Sequence, residues 1–91
     1  MACDPLTYTG VDASKWVCAK DTVSREYGIR IESDRGEASK RGFTLRWTYE
    51  EAEGTLEIQC SSKPFLIPCG VINDRINAAA EKCGIQRGQS G

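Results

Sequence analysis

The 91-residue sequence contains no histidine. Without an imidazole, the chain has no Cys-His or Ser-His catalytic pair, no histidine general base and no histidine metal ligand. Charge of one sign is not in excess either, because 12 Lys and Arg residues stand against 13 Asp and Glu residues. This balance argues against a nucleic-acid partner and against attraction of the whole chain to an anionic membrane. We therefore expect a protein that is not an enzyme and that needs no cofactor.

Long apolar runs are missing as well. The longest covers residues 64–72 and contains two prolines, so we expect no membrane-spanning helix and no membrane partner. The first ten residues have neither a basic start nor an apolar stretch, which predicts that there is no secretory signal peptide. The expected location is the cytoplasm, where the five cysteines would be reduced thiols.

The most regular pattern in the chain covers residues 43–60 and predicts an antiparallel β-hairpin. The apolar residues that alternate with polar ones are Phe43, Leu45, Trp47, Tyr49, Leu56, Ile58 and Cys60. Closing the turn with a Glu50–Thr55 pair places Trp47 opposite Ile58, so that buried residues face buried residues. The hairpin therefore has one buried face, with Trp47 at its centre, and one wet face.

Two amphipathic helices flank the hairpin. The first is predicted over residues 13–27, with Asp12 as its N-cap and Gly28 after its end, and the second over residues 71–83. A strand at residues 29–33 is expected to pair with the first strand of the hairpin, with Ile29 beside Trp47 and Ile31 beside Leu45. The sequence thus predicts an α+β fold of order α-β-β-β-α, in which two helices pack on one face of a three-stranded antiparallel meander.

We interpret residues 1–91 as a single small domain with an N-terminal arm, residues 1–10, and a flexible tail, residues 85–91. The connection over residues 61–70 is expected to carry Phe65 and Ile67 across one end of the sheet.

A nine-residue loop is predicted over residues 34–42, and long loops on a rigid scaffold often carry binding residues. Its charged residues, the candidate binding residues, are Asp34, Arg35, Glu37, Lys40 and Arg41. The alternative interpretation is a solvated loop without a ligand.

The cysteines are Cys3, Cys18, Cys60, Cys69 and Cys83. Their spacing contains no pair separated by two to four residues, which argues against a zinc or iron–sulfur site. Cys60 and Cys83 lie on predicted apolar faces and are expected to be buried. Between Cys60 and Cys69 the turn-rich connection would permit a disulfide in an oxidising compartment.

Two cysteines are candidates for a reactive thiol. Cys69 lies at the start of the second helix, where unpaired N–H groups stabilise a thiolate. Cys18 falls on the polar face of the first helix and is expected to be the accessible thiol, with Cys3 on the arm as a candidate disulfide partner.

The leading functional hypothesis is a small cytoplasmic, non-enzymatic binding or regulatory module that contacts another protein or a second copy of itself. The contact would use an open sheet edge, residues 29–33 or the less charged residues 55–60. The alternative is a thiol-dependent redox protein or sensor that uses Cys69 or Cys18. A third is weak nucleic-acid binding, because double-stranded RNA-binding domains have the same element order, although residues 69–75 lack their lysine cluster.

Overall fold

A computed structural model of the protein describes residues 2–87. Its elements are β1 (Leu6–Thr9), α1 (Ala13–Tyr27), β2 (Arg35–Lys40), β3 (Phe43–Glu50), β4 (Thr55–Ser62), α2 (Cys69–Lys82) and the two-residue β5 (Gln86–Arg87). All neighbouring strands are antiparallel, and their order in the sheet is β2-β3-β4-β1-β5. The α+β class with two helices is confirmed, but the predicted three-stranded meander is part of a larger sheet.

The β3–β4 hairpin has the register that the sequence predicts. Trp47 pairs with Ile58, Leu45 with Cys60, and Glu50 with Thr55 across the turn. All the inward-facing side chains from Leu45 to Cys60 are buried. The alternation of apolar and polar residues therefore determines which face of this hairpin packs inward.

The first strand of the meander does not lie where the sequence places it. Residues 29–33 form no strand, and β2 lies at Arg35–Lys40, inside the predicted loop. The pairs are Gly36 with Trp47 and Ala38 with Leu45, in place of the expected Ile29 and Ile31. The prediction was wrong because the inward positions of β2 hold Gly36, Ala38 and Lys40, which give no alternation of large apolar residues.

The predicted N-terminal arm is also structured. β1 pairs with β4, with Thr7 opposite Glu57, and the backbone N–H of Cys3 donates to the carbonyl of Cys60 at 2.9 Å. The Tyr8 side chain is buried, and its hydroxyl donates to Asn77 Oδ1 on α2 at 2.8 Å. As a consequence β4 is an internal strand, and the predicted open edge at residues 55–60 does not exist.

The predicted bounds of α1 are confirmed at both ends. Asp12 caps the helix by accepting from the backbone N–H of Lys15 at 2.8 Å, and Gly28 ends it with a left-handed φ of 69°. The Lys15 N–H and the Ser14 hydroxyl hold the pKa of Asp12 below its ordinary value. α2 begins two residues before its predicted start, so that Cys69 lies in its first turn.

Side chains from both helices and from the inner strand positions form one hydrophobic cluster. Trp16 of α1 stacks on Tyr49 of β3 with ring centroids 5.1 Å apart, and the Tyr49 hydroxyl donates to the Val11 carbonyl. Ile85 is 2% exposed within this cluster, and β5 pairs with β1, so residues 85–87 of the predicted tail are ordered in the fold. Residues 88–91 of that tail lie outside the described residues.

Candidate functional site

Most of the residues predicted to form a binding loop lie on the edge strand of the sheet. Arg35, Glu37 and Lys40 belong to β2, Arg41 is in the turn between β2 and β3, and Asp34 immediately precedes the strand. Because β2 is the terminal strand of the sheet, only β3 pairs with it. The segment predicted as a binding loop therefore forms an open edge of the sheet, whereas neither of the edges expected from the sequence, residues 29–33 and residues 55–60, is an edge strand.

Three of these five residues make contacts that stabilise the fold. The Asp34 carboxylate accepts from the Trp16 indole N–H at 2.9 Å. Arg35 forms an ion pair with Glu50 at 2.6 Å across the outer face, and Lys40 Nζ donates to the Gly28 carbonyl at the end of α1 at 3.4 Å. These side chains position β2 against β3 and α1.

The other two residues, Glu37 and Arg41, have no hydrogen-bond or ion-pair partner among the described side chains. Both are exposed. Arg41 has a left-handed φ of 54° and precedes Gly42, with φ 86°, in a two-residue turn. Glu37 on the strand and Arg41 at its end are thus the charged groups of this element that remain available to a partner.

The backbone of β2 presents a regular row of unpaired groups. In an antiparallel ladder closed by a two-residue turn, the pair beside the turn exchanges hydrogen bonds and every second pair does the same. The bond from Tyr49 N–H to the Asp34 carbonyl, 2.7 Å long, follows this alternation. The N–H groups of Arg35, Glu37 and Ser39 consequently point away from β3 and towards the open edge.

Beside this edge, the outer face of the sheet forms a shallow polar concavity. Its lining residues are Arg35, Gly36, Glu37, Arg46, Trp47, Thr48, Glu57 and Gln59. The wet face was predicted from the sequence, and its charged members Arg46 and Glu57 are exposed. Two cations and two carboxylates here can form hydrogen bonds and ion pairs with a ligand, but no nucleophile accompanies them.

The most exposed large apolar side chains of the described residues lie in the connection between β4 and α2. Phe65 is 84% exposed and Leu66 is 80% exposed, and we call this pair the apolar tip. The sequence led us to expect that Phe65 would pack across the end of the sheet, and this was wrong. Ile67 packs against the core instead, so the connection turns outward at Phe65 and Leu66 and returns inward one residue later.

The apolar tip is held from both sides. The N–H of Ile67 donates to the Pro64 carbonyl at 3.1 Å, which closes a four-residue turn. Immediately after Pro68, Cys69 is joined to Cys3 by a disulfide with Cα atoms 5.4 Å apart. Strand β4 fixes the preceding end, so the tip is part of a braced loop.

Four of the five cysteines form two disulfides, Cys3–Cys69 and Cys18–Cys83. The expectation of reduced thiols was therefore wrong, as were the suggested pairs Cys3–Cys18 and Cys60–Cys69. Cys3 precedes β1 and is 2% exposed, and its backbone N–H is bonded to the Cys60 carbonyl, so it is not on a free arm. The sequence could not reveal these pairs because β1 itself was not visible in the pattern.

The candidate reactive thiols Cys18 and Cys69 each lie in one of these disulfides, so neither carries a free thiol in this state. A redox role for them remains a prediction about the reduced protein. Cys60 is the free cysteine of the described chain, and it is buried as predicted. Burial raises the pKa of the Cys60 thiol, whose Sγ donates to the Ser62 carbonyl at 3.2 Å. Cys60 is thus a small core residue.

Within residues 2–87, no cluster of three or more potential metal-ligating side chains is arranged to hold a metal ion. None of the helices in this range is long and apolar enough to cross a membrane. Burial raises the pKa of Tyr49, whose hydroxyl remains a hydrogen-bond donor in the core. The features that stand out are therefore the β2 edge, the polar concavity beside it and the apolar tip.

No protein-family model, curated protein or solved structure matches the chain, so its own residues carry the functional interpretation.

Proposed function

We propose that this protein is a small, non-enzymatic binding module that contacts another protein through the open β2 edge. The observation that carries the proposal is that the six-residue strand β2 lies at one end of the sheet and is paired on one side only, whereas the strand at the other end, β5, has two residues. A partner strand added beside β2 would accept hydrogen bonds from the outward N–H groups of Arg35, Glu37 and Ser39.

Charge on and beside β2 supplies selectivity in this proposal. Glu37 and Arg41 are free of internal ion pairs, whereas Arg35 is paired with Glu50. Charged edge strands resist indiscriminate pairing, so a partner must place its own charges to match. This requirement favours a specific partner over a second copy, because two antiparallel copies centred on Glu37 would bring the two Glu37 carboxylates together.

The two disulfides favour an oxidising compartment. We therefore propose that the protein works outside the cytoplasm, in preference to the cytoplasmic location that we expected because the first ten residues show no secretory signal. In such a compartment the disulfides stabilise a domain whose length of 91 residues limits the size of its core.

A substitution pair at one position tests the strand-addition proposal. Glu37→Pro removes an outward N–H without removing a ladder hydrogen bond, whereas Glu37→Ala removes only the side chain. Immobilised wild-type protein and both variants are exposed to the extracellular fraction of the source cells, and retained proteins are identified by mass spectrometry. Hydrogen exchange then locates the contact on the wild-type protein.

We expect Glu37→Pro to abolish retention of the partner, Glu37→Ala to weaken it by less, and the β2 amides to gain protection in the complex. Glu81→Ala, at an exposed position of α2 outside the polar concavity, is the matched control and should leave retention unchanged. Equal retention by Glu37→Pro and wild type, with unprotected β2 amides, would contradict the proposal.

The thiol-based alternative is tested separately. If Cys69 or Cys18 has a redox role, its disulfide must be reduced reversibly at a potential close to that of cellular dithiols, about −270 to −120 mV. A titration against defined dithiol buffers, followed by alkylation and peptide mapping, measures this potential.

A further inference from the structure

The overall charge balance of the chain hides a local imbalance around the apolar tip. The loop segment of residues 63–68 contains Lys63 and no acidic residue, and the two-residue β2–β3 turn consists of Arg41 and Gly42. The two segments are adjacent, because a Cβ on Gly42 would lie 3.4 Å from Pro64 Cγ. Cations thus flank two fully projecting apolar side chains at one end of the sheet.

The backbone of the apolar tip has few N–H groups that lack an internal hydrogen-bond partner, which favours its transfer from water to an apolar medium. Pro64 and Pro68 have no N–H group, and the N–H of Ile67 is already bonded to the Pro64 carbonyl. Only Phe65 and Leu66 therefore have N–H groups that would lose water without an internal partner. This lowers the cost of moving the tip into an apolar medium.

We propose that the apolar tip inserts into the interfacial region of an anionic lipid bilayer, with Arg41 and Lys63 contacting the lipid headgroups. Apolar insertion combined with basic residues is the pair of signals that gives reversible membrane attachment. This surface is distinct from the β2 edge, and the proposal does not depend on the partner of that edge.

The size of the tip favours a bilayer over a pocket in a partner protein. A specific protein interface buries about 800 Å² on each partner, around a core of packed apolar residues. Two side chains surrounded by cations supply only a fraction of that area. A bilayer needs no complementary pocket, because the projecting side chains alone enter it. Self-association through the tip is disfavoured, since Arg41 and Lys63 of two copies would repel each other.

Vesicle co-sedimentation of the oxidised full-length protein is the test. The probes are vesicles of pure phosphatidylcholine and vesicles in which about one lipid in three is phosphatidylglycerol. Wild type should bind the anionic vesicles, with binding weakened when the salt is raised from about 0.1 M to about 0.5 M.

Two sets of variants separate the apolar and the cationic contributions. Phe65→Ser and Leu66→Ser should each weaken binding by at least about 10-fold, the lower end for burying a large apolar side chain. Arg41→Gln and Lys63→Gln should each weaken binding to the anionic vesicles by about 5-fold. These side chains are exposed or at the loop surface, so near-UV circular dichroism should show all four variants folded.

Matched controls use residues of the same type elsewhere on the surface. Val17 is 58% exposed and lies on the face of α1 that also carries Ser14 and Asp21. Val17→Ser should therefore leave vesicle binding unchanged. Arg46→Gln, on the outer face of the sheet, should change it little.

A direct reading of insertion comes from Phe65→Trp, whose emission should shift to the blue and be quenched by brominated lipid on anionic vesicles. Two inserted side chains should give measurable vesicle binding at about 1–5 mM lipid. The proposal is overturned if wild type fails to bind anionic vesicles at that lipid concentration. It is also overturned if binding survives the combined Phe65→Ser and Leu66→Ser substitutions. A different result would assign the tip to a pocket in a partner protein: wild type does not bind vesicles, and the tip variants no longer retain a protein that immobilised wild type retains.

Discussion

The two hairpins of the sheet share β3, yet only one of them could be predicted. In β3–β4, large apolar side chains alternate on both strands, and the observed register matches the pattern pair by pair. In β2–β3, the inward positions of β2 are Gly36, Ala38 and Lys40, none of which is a large apolar residue. A Cβ on Gly36 would lie 3.3 Å from Trp47 Cζ2, so the small residue accommodates the indole that defines the other hairpin.

This difference shows that the side chains of one strand can determine which residues its neighbouring strand accommodates. Trp47 occupies the space that a large side chain on β2 would need, and its indole N–H donates to the Ser33 carbonyl just before that strand. An edge strand of small residues is therefore specified by the bulk of the adjacent strand and by its turn, here Arg41–Gly42.

The largest effect is expected at Trp47, which serves both hairpins. Trp47→Ala should reduce the free energy of unfolding by about 3–5 kcal/mol through the cavity that it leaves. Denaturant unfolding of the oxidised protein measures this value. Arg46→Ala, one residue away on the exposed face, should change it by less than about 0.5 kcal/mol. Similar losses in both variants would mean that the two faces of β3 are assigned wrongly.

The next largest effect concerns β1, the strand that closes the β4 side of the sheet. Replacing Cys3 and Cys69 together by alanine should cost about 2–4 kcal/mol, because the unfolded chain loses a long-range constraint. Cys18 and Cys83 span 65 residues, against 66 for the first pair, so the same double substitution there is a matched control with a similar expected cost. A loss below about 1 kcal/mol on removing Cys3–Cys69 would contradict its role in fixing β1.

A smaller effect tests the contact between β2 and Trp47. Gly36→Ala should destabilise the protein by about 1–2 kcal/mol, because the added methyl group crowds the indole and Ser33 Oγ. Gly70→Ala, in the first turn of α2, meets no atom within 4 Å and should instead be neutral or stabilise by up to about 1 kcal/mol. Equal changes in the free energy of unfolding for Gly36→Ala and Gly70→Ala would contradict the explanation that β2 needs a small residue opposite Trp47.

The smallest effect concerns the cap of the helix that covers this sheet. The pKa of Asp12 is lowered from 3.8 in the folded state, first by the Lys15 N–H and then by the Ser14 hydroxyl. Its contribution to stability is therefore complete above pH 3.8 and is lost as the pH falls through the lower folded pKa. Asp12→Asn keeps a capping oxygen but does not titrate, so its unfolding free energy should fall less steeply with acid than that of wild type.

Local signals in the sequence were sufficient for α1, α2 and the β3–β4 hairpin. Asp12 and Gly28 mark the ends of α1, and the two-residue period fixes Leu45, Trp47 and Tyr49 inward. β1 could not be predicted in this way, because four residues that pair with a strand about 50 positions later leave no local pattern. The disulfides and the internal position of β4 were missed for the same reason.

The candidate site was predicted only in part. The candidate binding residues chosen by charge in residues 34–42 lie on or beside β2, and their arrangement on an edge strand depends on Gly36 packing against Trp47. The apolar tip was missed because Phe65 and Ile67 are equivalent in a hydrophobicity pattern. Only the turn between Pro64 and Ile67 decides that the first points outward and the second inward.

Native-state amide hydrogen exchange by NMR tests most directly the central claim that β1 covers the side of β4 that faces away from β3, and that β2 is an open edge. Because β3 and β1 pair with β4 on its two sides, we expect consecutive amides at Leu56, Glu57 and Ile58 to be protected. In β2, protection should alternate, with Gly36 and Ala38 slow and Glu37 and Ser39 fast. Alternating protection in β4, together with uniform protection in β2, would contradict this account of the open edge.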